Sequence, residues 1–305
     1  MLGSAFSRAL QQRGTRVLRL VRRTPQGPDE LAWNPSAVTR STHEQAIRIE
    51  TMSRLEGLDA AVHLSGANVS TRRWSKNYKR EMTESRVTTT RVLAEALARL
   101  KQPPKVLVTA SAVGFYGDRG EQILDESCAA GEGYFPELCM AWEAAARAAA
   151  NAGIRVVHLR FGVVIGPDGG AMAKLAPIFR LGLGGRLGSG RQWMSWVSEG
   201  DAVGAALFAV GLAGKPPDVP ALEGAVNVVA PEPVTNAEFT RELGRAVHRP
   251  AVVAAPAFAL RLVFGEMADE ALLASTRAVP QRLLDAGYRF HHRTLPEALA
   301  ASVKR

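Results

Sequence analysis

The chain has 305 residues, 47% of them hydrophobic, which is enough to bury the core of one large domain or two modest ones. Its formal net charge is +9, but the arginines form no basic blocks with interleaved aromatic residues, which argues against nucleic acid and favours small polyanionic ligands. The two cysteines, Cys128 and Cys139, have neither metal-ligand nor redox spacing, so we expect no metal site and a reducing, cytoplasmic location.

The first part of the chain alternates between helical and strand patterns. Leu2, Phe6 and Leu10 share one helical face and predict a helix at 2–13. The elements predicted next are a strand at 16–21, a short strand from Leu31 to Asn34, a buried strand at 59–64, a turn at 65–67 and a long helix at 74–100.

The same alternation continues through the second part. It predicts a strand at 106–112, a helix at 140–152, a strand at 155–160, a glycine-rich loop at 166–200, a helix capped by Asp201 and a strand at 224–229. The apolar run at 251–264 is too short to span a membrane, so we expect no membrane contact. The pattern predicts an α/β fold, a doubly wound parallel sheet of the Rossmann type. We assign residues 1–230 to this domain and residues 231–305 to a small, mainly helical C-terminal domain.

The beginning of the chain departs from this fold. A doubly wound nucleotide-binding domain opens with a strand and a glycine-rich loop whose N–H groups hold the pyrophosphate. Here only Gly3 could be the last glycine of such a loop. Either the true start lies upstream of Met1 or the phosphate cradle has been lost. We therefore expect poor dinucleotide binding, and strands 16–21 and 59–64 either separated by a gap or directly paired.

Arg22 and Arg23 end the strand at 16–21. At this position of a dinucleotide-binding fold an acidic residue favours NAD, whereas an arginine accommodates the 2′-phosphate of NADP with two parallel hydrogen bonds. The pair predicts NADP in preference to NAD. The alternative is a solvated pair in an arginine-rich protein.

Several segments, in this order, resemble the extended short-chain dehydrogenase/reductase superfamily. The resemblance is closer to its epimerase-like branch with a small extra C-terminal domain, and it covers nearly the whole chain. The segments include LEGLDAAVHLSGANV (55–69), SRVTTTRVLAEAL (85–97), VTASAVGFYGD (108–118), CMAWEAAA (139–146) and RLGSGRQWMSWVSEGD (186–201).

The resemblance implies roles for individual residues. Ser111 would hold the substrate oxygen and Tyr116 would shape the pocket, both at the carboxyl edge of the sheet and lining a cleft. Trp193 and Trp196 would form a stacking wall for the substrate, although core packing explains them equally well. The residues expected to contact the cofactor are Gly3, Arg22, Arg23, Ser65, Gly66, Ala67, Thr109 and Arg160.

The Tyr-x-x-x-Lys pair of the superfamily is missing. Phe135 stands at the tyrosine position and Cys139 at the lysine position. Phenylalanine has no titratable group, and a thiol cannot serve as a permanent cation. Acid–base catalysis contributes roughly 10²–10⁴ in rate, so ordinary dehydrogenase turnover should suffer. Tyr116 and Cys139 are the remaining candidates for proton transfer.

These observations predict an NADP-binding, epimerase-like oxidoreductase that moves a hydride at a carbonyl or carbinol carbon. Its partner would be a small molecule, such as a nucleotide sugar. The alternative is a non-enzymatic, dinucleotide-responsive binding or regulatory protein, for example in cell division. A third reading is a truncated chain that binds no cofactor. Neither the substrate nor the oligomeric state follows from the residues.

Overall fold

The centre of the protein is a parallel sheet with helices on both sides. The computed structural model describes residues 1–33, 35, 52–167, 169–213 and 218–303; Asn34 of the second predicted strand lies outside them. The sheet has four strands, and these are β3 (Ala60–His63), β4 (Val106–Ala112), β6 (Arg155–Phe161) and β10 (Gly224–Val228), in the order β10-β6-β4-β3. All neighbours are parallel, so the predicted Rossmann-type fold is confirmed.

Two further strands near the N-terminus form a sheet of their own. Strand β1 (Arg19–Val21) pairs in parallel with β2 (Glu30–Ala32). In the described part of the chain β1 is not bonded to β3, which is therefore the edge of the four-stranded sheet. Of the two arrangements expected for strands 16–21 and 59–64, direct pairing is therefore wrong, and the structure has them unpaired.

The remaining strands are short. They are β5 (Ile123–Leu124), β7 (Val163–Ile165), β8 (Trp193–Met194), β9 (Trp196–Ser198), β11 (Val234–Thr235) and β12 (Arg277–Ala278). They pair as β7 with β9, β8 with β11 and β5 with β12. The last pairing joins the C-terminal part of the chain to the loop that follows β4.

The helices cover both faces of the sheet and the C-terminal region. They are α1 (Leu2–Gln11), α2 (Lys76–Thr83), α3 (Thr89–Ala98), α4 (Tyr134–Ala144), α5 (Arg147–Asn151), α6 (Gly170–Arg180), α7 (Glu199–Val210), α8 (Asn236–Ala246), α9 (Ala257–Phe264), α10 (Gln281–Asp285) and α11 (Leu295–Val303). A π-helical turn, Glu84–Thr88, joins α2 to α3, so the long helix predicted at 74–100 is present but widened in its middle.

The glycine-rich segment 166–200 is more ordered than the sequence suggests. It contains helix α6 and strands β8 and β9, although we expected a loop. Met172 and Phe179, seven residues apart, are both buried in one cluster and hold α6 against the core. The glycines on either side of this segment favoured a loop, so the apolar spacing did not lead to a predicted helix. The cap of α7 also differs, because the Ser198 hydroxyl accepts from the Asp201 N–H and Ser198, not Asp201, is the N-cap.

The C-terminal region is mainly helical, as predicted. Leu283 and Tyr288 of this region pack in the same apolar cluster as Val157 and Leu159 of the central sheet. The division of the chain at residue 230 stays a prediction. None of the helices in the described ranges is long and apolar enough to cross a membrane.

Candidate functional site

Ser111 lies at the carboxyl edge of the parallel sheet, as predicted. It is the sixth residue of the seven-residue strand β4 and is in register with Arg160 on the neighbouring strand β6. Ligands of open α/β sheets bind beyond the carboxyl ends of the strands, so a ligand of this fold is expected at this edge. The residue is only 3% exposed.

A carboxylate from helix α4 links the two strands. The Ser111 hydroxyl donates to Glu143 Oε1 at 2.7 Å, and Arg160 donates to both carboxylate oxygens from Nε and Nη2 at 2.8 Å. The side chains of Arg160 and Glu143 are 5% and 13% exposed, so this bidentate ion pair is largely shielded from water. Burial lowers the pKa of Arg160, but its hydrogen bonds and charge interaction with Glu143 outweigh this and leave the pKa raised.

Tyr116 extends the same network into the interior. Its hydroxyl lies 2.9 Å from both Asn227 Oδ1 and the Asp125 carbonyl, donates its single proton to one of them, and accepts from Arg160 Nη1 at 3.1 Å. Tyr116 is fully buried and Ser111 is only 3% exposed, so the expectation that the two side chains line a cleft is wrong. Burial raises the pKa of Tyr116 to about 12, which does not favour proton transfer near neutral pH.

The positions where the superfamily carries tyrosine and lysine serve packing here. The Phe135 ring lies against Gly114, where an added Cβ would stand 2.6 Å from Phe135 Cδ1, and contacts the Trp74 ring edge-on. Cys139 is fully buried, and burial raises its pKa to about 12. The catalytic roles predicted for Tyr116 and Cys139 stay predictions, and this geometry does not favour them. Neighbouring Tyr134 directs its hydroxyl to the Lys79 carbonyl at 2.9 Å.

The two arginines at the end of β1 differ in their partners. Arg23 donates to both oxygens of Glu30 at 2.7 Å and is engaged. Arg22 is exposed and has no hydrogen-bond or ion-pair partner among the residues that the structure describes. Gly3 lies in the first turn of α1 with open space around its α-carbon. Of the two arginines, only Arg22 is therefore free to meet a ligand.

The other predicted cofactor residues divide between the surface and the interior. Ser65 and Gly66 are exposed in the loop that follows β3, and the Ala67 N–H donates to Ser85 Oγ at 3.0 Å. Thr109 is fully buried, with its hydroxyl 2.8 Å from His158 Nδ1. The loop can reach a ligand, whereas Thr109 and Arg160 are held inside.

The two tryptophans have different surroundings. Trp196 is fully buried, and its indole N–H donates to the Glu232 carbonyl at 3.0 Å. Trp193 is partly exposed, donates to Glu121 Oε2 at 2.6 Å, and has the Arg277 guanidinium 4.0 Å from the centre of its ring. Of the two tryptophans, only Trp193 is partly exposed at the surface.

Sequence reasoning missed Glu143, Asn227 and Arg86. Glu143 follows Cys139 by four residues on the same helix, and this spacing was a usable signal because the two share a helix face. Asn227 and Arg86 gave no local signal. Asn227 reaches Tyr116 from a strand 111 residues further along the chain.

Comparison with known families gives two matches along the chain. The NAD dependent epimerase/dehydratase family matches residues 1–220, and a domain of unknown function (DUF1731) matches residues 255–302. An epimerase family protein of Mycobacterium bovis is 44% identical over 305 residues, which cover 100% of this chain and 95% of that protein. The human epimerase family protein SDR39U1 is 36% identical over 301 residues, or 98% of this chain and 94% of that protein.

Solved structures agree with these matches. The crystal structure of human SDR39U1 (isoform 2) with NADPH has a TM-score of 0.86 and 34% identity, covering 100% of this chain and 96% of that one. A nucleoside-diphosphate sugar epimerase from Corynebacterium glutamicum has a TM-score of 0.77 and 30% identity, covering 99% of this chain and 56% of that one. The UDP-glucose 4-epimerase of Thermotoga maritima, at 18% identity and a TM-score of 0.69, shares the fold.

Proposed function

The chain belongs to the NAD dependent epimerase/dehydratase family, and we propose that it binds NADPH along the carboxyl edge of its parallel sheet. The observation that carries this proposal is the likeness, over the whole chain, to a human relative crystallised with NADPH. The proposed reaction is hydride transfer to or from a carbonyl or carbinol carbon of a small molecule, with nucleotide sugars as the substrate class.

Three features of the chain fit a dinucleotide. Arg22 is a free guanidinium at the end of β1, where a 2′-phosphate would be bound. Gly66 is exposed, and a Cβ there would stand 3.1 Å from the guanidinium carbon of Arg86, so a larger residue would crowd this loop. Arg86 Nε is buried without a hydrogen-bond partner. The two guanidinium groups favour an anionic, hydroxyl-rich ligand.

The bound nucleotide would supply a hydride as NADPH or accept one as NADP, and the chain's own residues would handle the substrate oxygen and its proton. Ser111 lies at the end of β4, and its hydroxyl donates to Glu143 Oε1. We assign the substrate oxygen to Ser111 and proton exchange to the Ser111–Glu143 hydrogen bond. Arg160 holds the carboxylate in place with two bonds.

Selectivity for NADPH tests the binding part of the proposal. Calorimetry on the 305-residue chain should show tighter binding of NADPH than of NADH. Arg22→Ala is expected to reduce the preference tenfold or more, because a charge-assisted hydrogen bond contributes about 1.5–3 kcal/mol. Arg23→Ala is the matched control and should change the preference much less, since Glu30 already occupies Arg23. Equal affinity of the wild-type chain for both nucleotides would refute the role of Arg22, and absence of NADPH binding would refute the proposal.

Hydride transfer is tested separately by mixing the protein with UDP-glucose and NADP. The readout is the absorbance of the NADPH that forms. Ser111→Ala is expected to lower turnover by about 100-fold or more, as for the loss of an acid–base group. Ser127→Ala, which changes an exposed serine, should keep the wild-type rate. Wild-type turnover by Ser111→Ala would contradict the assignment, and no transfer with any of a panel of nucleotide sugars would contradict the substrate class.

A further inference from the structure

Arg86 is a buried cation in an irregular turn of a helix. It lies within the π-helical turn Glu84–Thr88, between α2 and α3, and only 7% of the residue is exposed. π-Helical turns inside α-helices are rare and occur frequently at functional sites. The turn thus marks a place where the regular helix is interrupted around a charged side chain.

The partners of Arg86 are all neutral. Nη2 donates to the Ala67 carbonyl at 2.8 Å and Nη1 to the Met82 carbonyl at 3.3 Å, while the guanidinium carbon lies 5.1 Å from the centre of the Trp142 ring. Nε is buried and has no hydrogen-bond partner. Arg86 forms no ion pair with a carboxylate among the described residues.

Burying an unpaired guanidinium costs free energy when no ligand is bound. A buried charge is tolerated when it is paired and its donors are satisfied, and an orphaned buried N–H requires an explanation. Burial lowers the pKa of Arg86, because the buried surroundings disfavour the charged guanidinium. A ligand with oxygen acceptors at this point would satisfy the free donor.

The surroundings indicate which part of a ligand would come here. Arg86 touches the exposed Gly66–Ala67 loop at the carboxyl end of β3, and its charge acts on Cys139 of α4. Arg22 lies on the separate β1–β2 sheet. Cys139 lies one helical turn before Glu143, which binds Ser111. The half of the dinucleotide that would lie beside Arg86 is therefore the nicotinamide half, the one nearer Ser111.

We propose that Arg86 binds the nicotinamide-ribose half of NADPH through its free Nε–H. This inference rests on the proposed function. Arg86 is thereby a cofactor-binding residue supplied by the long helix, at a position that the sequence did not single out. Its bond to the Ala67 carbonyl also fixes the loop that would lie against the cofactor.

The test compares Arg86→Met with Arg91→Met, an exposed arginine further along the same helix. Calorimetry with NADPH and with adenosine 2′,5′-bisphosphate, which lacks the nicotinamide half, is combined with melting temperatures without nucleotide. Arg86→Met should bind NADPH about tenfold to hundredfold more weakly and bind the bisphosphate as the wild type does. Its melting temperature should be unchanged or higher, because methionine removes an unpaired buried charge. Arg91→Met should match the wild type throughout.

Two results would overturn the inference. One is wild-type NADPH affinity in Arg86→Met. The other is an equal loss of NADPH and bisphosphate binding together with a lowered melting temperature, which would make Arg86 a purely structural clamp on the Ala67 carbonyl. The proposed function fails separately, and this inference with it, when the wild-type chain itself binds no NADPH.

Discussion

Replacing Glu143 with alanine is expected to lower the free energy of unfolding by about 3–5 kcal/mol, because it leaves Arg160 buried without its counter-charge. Arg160 is 4% exposed, and its guanidinium carbon lies 3.4 Å from the centre of the Phe115 ring, so water cannot readily replace the lost carboxylate. The measurement is urea unfolding monitored by circular dichroism.

Glu137→Ala is the matched control, since Glu137 is an exposed carboxylate in the first turn of the same helix. We expect it to cost under about 1 kcal/mol, the size of a favourable helix-end charge. The double variant Glu143→Met with Arg160→Met should be more stable than Glu143→Ala, because it removes both charges at once. A loss below 1 kcal/mol in Glu143→Ala would show that the pair is solvated and not part of the core.

Trp196→Ala is expected to cost about 3–5 kcal/mol, the usual penalty for deleting a large buried aromatic side chain. The ring has no exposed surface and packs in a cluster that includes Ile165, Phe239 and Leu299. The indole N–H also loses its bond to the Glu232 carbonyl. Unfolding in urea again gives the free-energy difference.

Trp193→Ala provides the comparison, since this ring is partly exposed and lies three residues away. It should cost about 1 kcal/mol, as for a typical substitution outside the core. Substrate affinity should respond in the opposite order, because Trp193 is partly exposed and Trp196 is fully buried. Equal losses of stability in the two variants would contradict this division between core and surface.

Local pattern was enough to place several candidate residues on the fold. The apolar spacing of Leu2, Phe6 and Leu10 predicted α1, and Phe6 and Leu10 are indeed buried. The run at 106–112 predicted β4 with its bounds, which put Ser111 at the carboxyl edge. These features depend on the periodicity of the side chains and on chain direction, and a short segment of sequence is enough to determine both.

The other contacts of the candidate site depend on packing between residues that are far apart in the chain. Glu143 meets Arg160 across 17 residues, and Tyr116 meets Asn227 across 111, so no local period relates them. The contrast between Trp193 and Trp196 also arises from tertiary packing.

The sequence by itself determined the alternation of strands and helices, the family resemblance and the absence of the Tyr-x-x-x-Lys pair. Only the tertiary structure decided which polar groups are buried and which remain free, as in Arg22 and Arg23, adjacent residues of the same type. Arg23 is held by Glu30 and Arg22 is not, because the parallel pairing of β1 with β2 brings that carboxylate to one of them. Burial and pairing are properties of the assembled surfaces, and the order of residues along one segment does not specify them.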